Sequence, residues 1–324
     1  MSTTHSAGAG AATATLRLGT RRSTMATTQS QELADVLTSR TGVAVTLVPI
    51  TSHGDVTQAQ LTQLGGTGVF VGALRQELGA GNIDVAVHSL KDLPTASAPD
   101  IDLVAVSQRE DPRDALCARD GLRLDDLPAG ARIGTGSPRR VAQLAALRPE
   151  LTYVPIRGNA ETRLGKVAAG EVDAVVLAHA GLRRVGRLAD VTEVFEPETM
   201  LPAPGQGALA VECQAGDGGS GARLAFLEHI DHAQTRAEVT AERSVLAELE
   251  AGCAAPVGAL AHCRDGQLWL RAVAAATDGS RVVRSESVLR QEEAASGGRV
   301  LARELIARGA DRLVAEARDL DAEK

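Results

Sequence analysis

Aromatic side chains are nearly absent from this chain: one Trp, one Tyr and three Phe make up 2% of its 324 residues. That excludes the stacking platforms that grip single-stranded nucleic acid, and it leaves Ala, Val and Leu to build the cores. Cysteine is equally thin. Cys117, Cys213, Cys253 and Cys263 stand far apart with no C-x-x-C pair, which argues against a structural zinc site and a dense disulfide framework and fits a reducing cytoplasm. No apolar run approaches the roughly 18 residues of a membrane span, so no membrane partner is expected. Positive charge is in deficit overall, with 34 Lys and Arg against 41 Asp and Glu. Any surface for anions must therefore be local. Residues 1–15 contain no Lys or Arg and read as a frayed tail rather than a secretory signal. His229, His232 and His262 lack metal-ligand spacing, and no metal site is expected.

What is present is a globular composition, 44% apolar and 23% charged, long enough for two or three domains of about 100 to 200 residues each. Short β-rich runs at 15–18, 43–50, 83–88, 132–134, 152–156 and 173–177 alternate with helical stretches, of which 29–40 and 139–147 are the clearest. Such alternation predicts βαβ units and a largely parallel sheet. One pattern occurs twice: Leu18-Gly19-Thr20 before Ser23, and Ile133-Gly134-Thr135 before Ser137-Pro138. Each places a strand, a Gly-Thr turn and a Ser ahead of a helix, and in the second Ser137 suits an N-cap with Pro138 in the first turn. Two similar α/β domains follow from this repeat. The Gly, Asp and Ser run at 216–221 reads as a flexible connector. Beyond it, a helix over 235–250 ended by Gly252, strands at 257–261, 268–273 and 282–286, and a helical run over 299–317 predict a small α+β domain.

Charged groups collect where strands of an α/β sheet end, which is where ligands bind in such folds. His88-Ser89-Leu90-Lys91-Asp92-Leu93-Pro94 follows the apolar strand 83–87. Asp92 reads either as a catalytic acid or as a turn residue before Pro94. Arg21-Arg22, Arg139-Arg140, Arg157 with Arg163, and Arg183-Arg184 form compact groups. Arg21 and Arg139 lie at helix starts, where a basic side chain opposes the helix dipole and an incoming anion would explain it. Forked guanidinium groups suit several carboxylates, and replacing Arg139 or Arg140 by Leu is expected to leave the fold intact. Cys253, in Glu250-Ala251-Gly252-Cys253, is on local grounds either a small buried hydrophobe or a reactive thiol in a turn. Gly65-Gly66-Thr67-Gly68 lacks the Lys-Ser/Thr ending of a nucleotide loop and reads as a hinge or lid.

In this order the segments G-T-R-R-S (19–23), G-G-T-G-V-F (65–70), H-S-L-K-D-L-P (88–94), R-E-D-P-R-D-A (109–115), G-T-G-S-P-R-R (134–140), R-G-N-A-E-T-R-L (157–164), L-P-A-P-G-Q-G-A (201–208) and E-A-G-C (250–253) resemble the signature blocks of porphobilinogen deaminases, also called hydroxymethylbilane synthases. They span nearly the whole chain from Leu16 onward. The resemblance implies two α/β domains of the type II periplasmic-binding-protein kind hinged around a cleft, with a small C-terminal α+β domain. Domain 1 would hold 16–107 and 201–220, domain 2 108–200, and domain 3 221–324. It also implies a dipyrromethane cofactor joined to Cys253 by a thioether, with Asp92 as the catalytic acid. Lys91, Ser137, Arg139, Arg140, Arg163 and Arg184 match cofactor-binding positions. Arg21, Ser23, Arg157 and Gln206 match substrate-binding positions. The implied reaction condenses four porphobilinogen molecules with loss of ammonia and then releases hydroxymethylbilane by hydrolysis, in a cytoplasmic, monomeric transferase that binds neither nucleic acid nor membrane. Gln63, Thr67 and His53 depart from the basic residues common at their places in the family, which bears on how strongly the lid would touch substrate.

Two other readings compete. A non-catalytic anion-binding protein of the same paired fold would need neither Cys253 nor Asp92. A dinucleotide-dependent enzyme would show G-x-G-x-x-G after the first strand, and the sequence after Leu18 lacks it.

Overall fold

A computed structural model describes residues 15–51, 68–215, 224–252 and 255–322. Strand β1 (Leu16–Arg21) leads through the helix Thr24–Thr41 to β2 (Val45–Ile50), and the helix Gly68–Gly79 leads to β3 (Val85–Ser89) and β4 (Ile101–Val106). The chain then crosses to a second lobe, made of β5 (Asp114–Ala118), β6 (Arg132–Gly134), the helix Pro138–Leu147, β7 (Thr152–Val154), the helix Ala160–Ala168, β8 (Ala174–Ala178), the helix His179–Arg184 and β9 (Glu193–Val194). It returns to the first lobe as β10 (Leu209–Gln214).

The two sheets share one design. Their strand orders are β2-β1-β3-β10-β4 and β7-β6-β8-β5-β9. In each, the first three strands are parallel, as the alternation predicts. The expectation of a largely parallel sheet needs one correction: β10 runs antiparallel to β3 and β4, and β5 antiparallel to β8 and β9. Both are the strands that follow a crossing between lobes. Each enters its sheet from the end where the parallel strands finish, with Leu209 opposite Ser89 and Asp114 opposite Ala178. The crossings and the strand ends therefore face one cleft.

Apolar side chains cover both faces of each sheet. Leu33 and Leu37 of the first helix pack on Leu16, Leu18, Val85 and Val87, while Leu74 and Leu78 pack on Ile83 and Ala86 from the other side. Leu144 covers Leu116, Ile133 and Val176 in the second lobe, and Leu164 and Leu182 cover Ala115, Val175 and Leu177. The crossings approach each other closely. Gly207 has φ +92°, and a Cβ there would lie 2.5 Å from the Glu110 carbonyl oxygen, so only glycine fits.

The third unit opens with the helix Ala233–Glu248, followed by an antiparallel sheet of β11 (Val257–Arg264), β12 (Gln267–Ala275) and β13 (Val282–Arg290), and by the helices Ala294–Ala307 and Ala310–Ala322. The α+β reading holds, with two adjustments. The run expected as one helix over 299–317 is broken at Gly309, whose φ of +90° ends the first of two helices. The helix expected to reach 250 stops at Glu248, well before Gly252, with Glu250 at φ +49°. Residues 216–221, the lid positions His53, Gln63 and Thr67, and Cys253 lie outside the described residues; Gly68 opens a helix.

Candidate active site

At the end of β3 a single 3₁₀ turn, Leu90–Asp92, directs Lys91 and Asp92 out of the sheet. The turn is pinned from the third unit: Arg243 Nη1 donates to Leu93 O at 2.9 Å and Arg243 Nη2 to Pro94 O at 2.7 Å. Asp92 is half-buried beside the amine of Lys91. Burial pushes that amine down to about 8, against the pull of Asp92 and with Arg140 adding to the fall. Lys91 Nζ donates to Gln206 Oε1 at 3.2 Å.

At the end of β6, Pro138 starts the helix, and Ser137 occupies the cap position but its hydroxyl makes no capping bond. That corrects the expectation. The capping serine of the repeated pattern is the other one, Ser23, which accepts from Ala26 N at 3.3 Å. Arg139 and Arg140 are buried, at 4% and 6% exposure, and they meet an anion that the sequence reading did not single out. Arg140 Nη2 and Nε donate to Asp114 Oδ1 at 2.7 and 3.1 Å, and Arg139 Nη1 lies 2.8 Å from Asp114 Oδ2. Backbone carbonyls complete the shell, Leu201 O for Arg139 and Val176 O for Arg140. Buried and desolvated, Asp114 is still held well below the carboxylate range by the two guanidinium groups. Gln206 is buried too, and its Nε2 donates to Asp114 Oδ1 at 2.9 Å and Pro112 O at 2.7 Å. It joins Lys91 to Asp114 within the protein.

Past β7, Asn159 caps the helix Ala160–Ala168 through Thr162 N at 2.8 Å. Arg163 Nε bonds Gly158 O at 2.9 Å, and burial with the nearby charges of Arg140 and Arg157 pushes its guanidinium down to about 10. Three crowded cations of this kind fit a ligand that carries carboxylates. Arg184 is largely buried and bonded to Glu110 Oε1 at 2.7 Å and Gln29 Oε1 at 3.2 Å, and Arg183 reaches Glu32 at 2.9 Å. Both arginines therefore tie the second lobe to the helix Thr24–Thr41. Arg21 and Arg22 finish β1 and enter the turn before that helix. The histidines serve locally, His232 capping the helix Ala233–Glu248 and His262 stacking on Trp269.

One narrow pocket brings these parts together. Lys91, Ser137, Arg139, Leu246, Gly252 and Ala255 are among the residues that line it. Ala255 N donates to Gly252 O at 2.9 Å, so the residues on either side of positions 253 and 254 meet at this wall. The groups brought together are thus the amine of Lys91, the hydroxyl of Ser137, the guanidinium of Arg139 and the residues Gly252 and Ala255. Such donors suit carboxylates. The residues missed from sequence are Asp114, Arg243 and Glu242. An acid opening the otherwise apolar strand D-A-L-C-A signals a buried ion pair, whereas nothing local marks Arg243.

A family profile described as porphobilinogen deaminase, dipyromethane cofactor binding domain, matches residues 16–220, and one described as porphobilinogen deaminase, C-terminal domain, matches 236–307. Porphobilinogen deaminase of Thermobifida fusca is 65% identical over 309 residues, covering 93% of this chain and 96% of that protein. Porphobilinogen deaminase 1 of Streptomyces coelicolor is 54% identical, covering 93% and 98%. Among solved structures, a putative methionine-binding lipoprotein of Bacillus subtilis superposes with a TM-score of 0.42 at 12% identity, covering 66% of this chain and 89% of that one.

Proposed function

The chain belongs to the porphobilinogen deaminase family, and from that premise we propose that the pocket lined by Lys91, Ser137, Arg139, Gly252 and Ala255 holds a dipyrromethane joined to Cys253, with Asp92 at the reacting end. The protein is a transferase of tetrapyrrole biosynthesis with a dipyrromethane cofactor. In the hydroxymethylbilane synthase reaction the bound cofactor supplies the pyrrole carbon to which porphobilinogen units are joined, four in sequence, before water releases the product. Our division follows the crossings, with 16–107 and 201–220, 108–200 and 221–324 as the three domains, acting in the cytoplasm as a monomer.

The observation that carries the reading is the pocket itself, which Lys91, Ser137 and Arg139 line together with Gly252 and Ala255. Each pyrrole bears an acetate and a propionate, and guanidinium forks bind carboxylates in pairs. Lys91, Ser137, Arg139, Arg140, Arg163 and Arg184 would hold and orient the cofactor's acids, and Arg21, Ser23 and Arg157 those of the incoming substrate. Asp92, on the turn whose backbone Arg243 pins, would move a proton to the departing amine and offset positive charge developing on a pyrrole nitrogen.

Intact mass tests the reading. The purified protein should exceed its sequence mass by one dipyrromethane, and Cys253→Ser should lack the increment. Asp92→Asn should keep the increment and the fold while turnover falls by about 10²–10⁴-fold, the range of general acid–base catalysis. An unmodified Cys253 in fully active protein would overturn the assignment.

A further inference from the structure

One carboxylate at the centre of the cleft takes no part in the steps above. Asp114 opens β5 with no solvent exposure. Its Oδ1 receives Arg140 Nε, Arg140 Nη2 and Gln206 Nε2, its Oδ2 lies against Arg139 Nη1, and Gln206 in turn receives Lys91 Nζ. A single anion of the second lobe thereby reaches three cations, one of them from the first lobe. Without it, the cations of an unloaded pocket would repel one another and turn toward water. Arg carries five N–H donors, and the bonds of Arg140 to Asp114 and Val176 O engage one N–H on each of its three nitrogens. Asp114 can therefore anchor the guanidinium from behind while further N–H groups serve a ligand in front.

We propose that Asp114 is a positioning residue, holding Arg139, Arg140 and, through Gln206, Lys91 in the arrangement that receives the cofactor's acidic side chains. The proposal rests on the cofactor reading given above. It assigns Asp114 a role in loading rather than in the chemical step, since it sits behind the cations and not at the reacting end.

Two variants separate position from charge. Asp114→Asn keeps shape and removes the anion, whereas Asp114→Glu keeps the anion and shifts it by one methylene. Each is purified, its dipyrromethane content read by intact mass, and its unloaded fraction incubated with porphobilinogen to time the mass gain, alongside thermal melts. Uptake should slow by about tenfold or more in both, the effect of losing one charged hydrogen bond. The Asn variant should also move the alkaline limit of uptake to lower pH. Asp114 and Asp92 favour the charged form of Lys91, against burial and the charges of Arg140 and Arg139, so losing Asp114 lowers that amine further. If the Asn variant fails to fold, the Glu variant decides. Unsubstituted uptake rates in a folded variant, or an unmoved alkaline limit in a folded Asn variant, would overturn the proposal. So would failure of both variants to fold, which would assign Asp114 to the fold alone. Failure of the cofactor reading looks different, because the unsubstituted protein would then carry no increment.

Discussion

A buried guanidinium needs an anion, and Arg139 and Arg140 share one. Placed at a helix start in the sequence, they read as groups awaiting a ligand, replaceable without harm to the fold. Burial against Asp114 changes that expectation. Arg140→Leu would leave Asp114 to Arg139 and Gln206 alone, with its charged hydrogen bonds to Arg140 lost, at a cost of about 1.5–3 kcal/mol, seen as a fall in melting temperature even in unloaded protein. Lys91 gives a pH prediction. Its folded value of about 8 lies below the ordinary 10.5, so it is charged at neutral pH and loses its hold on carboxylates as pH rises through 8. Uptake of cofactor by unloaded protein should therefore decline above about pH 8, and Lys91→Arg should remove that limb, because Arg does not titrate there. The sign for stability is the opposite: the unfolded chain binds more protons between the two values, so this group opposes folding most below pH 8 and progressively less toward 10.5, and stability rises with pH across that window. Asp92 and the arginines were visible as residues from their clustering at strand ends. Their counter-ion was not singled out: an acid opening the apolar strand D-A-L-C-A marks a buried charge, but which cations meet it is a contact across the fold.

Elements were legible where strand and helix alternate. β1, β2, β3, β6, β7 and β8 all fall on runs recognised from sequence, with ends shifted by a few residues. β4, β5, β9 and β10 were not recognised. β4, β5 and β10 follow no α-helix of their own, β9 is two residues long, and β5 and β10 are buried on both faces, so these two lack the alternation that marks a half-exposed strand. The crossings that feed them are also where backbone geometry is most demanding. Gly207→Ala would force a side chain into a positive-φ position against a carbonyl oxygen. Strain of this kind costs about 1–3 kcal/mol, and chemical denaturation should show at least that loss, whereas replacing a glycine in an open turn should cost less.

Across the whole molecule, the three units meet through charged contacts around the crossings. Glu242, on the helix Ala233–Glu248, is fully buried and accepts from Arg109 Nη1 at 2.6 Å, Gly205 N at 2.7 Å and Ala261 N at 2.8 Å. It thus joins both crossings to the third unit, and burial pushes its carboxyl up while Arg109 opposes the rise. The contact between the first two lobes is lighter. Arg183 and Glu32 are each more than two-fifths exposed, so their pair is worth at most about 1 kcal/mol. Arg183→Ala should leave the melting temperature nearly unchanged yet broaden the distance distribution from small-angle scattering, since one tie across the cleft is lost. An unchanged distribution would place the hold between the lobes in the Arg184, Glu110 and Gln29 contacts instead.

The late return of the chain as β10 bears on how the protein is made. β10 lies between β3 and β4 in the first sheet, yet it leaves the ribosome only after every strand of the second lobe. The second sheet, whose strands β5 to β9 are continuous in sequence, can therefore close while the first still lacks a central member. Until β10 arrives, β3 and β4 present unpaired edges, the kind of surface that joins wrongly to other chains. Strands β1 to β4, translated before the second lobe, thus belong to the lobe completed later, and the cleft comes into being only when that last strand is inserted.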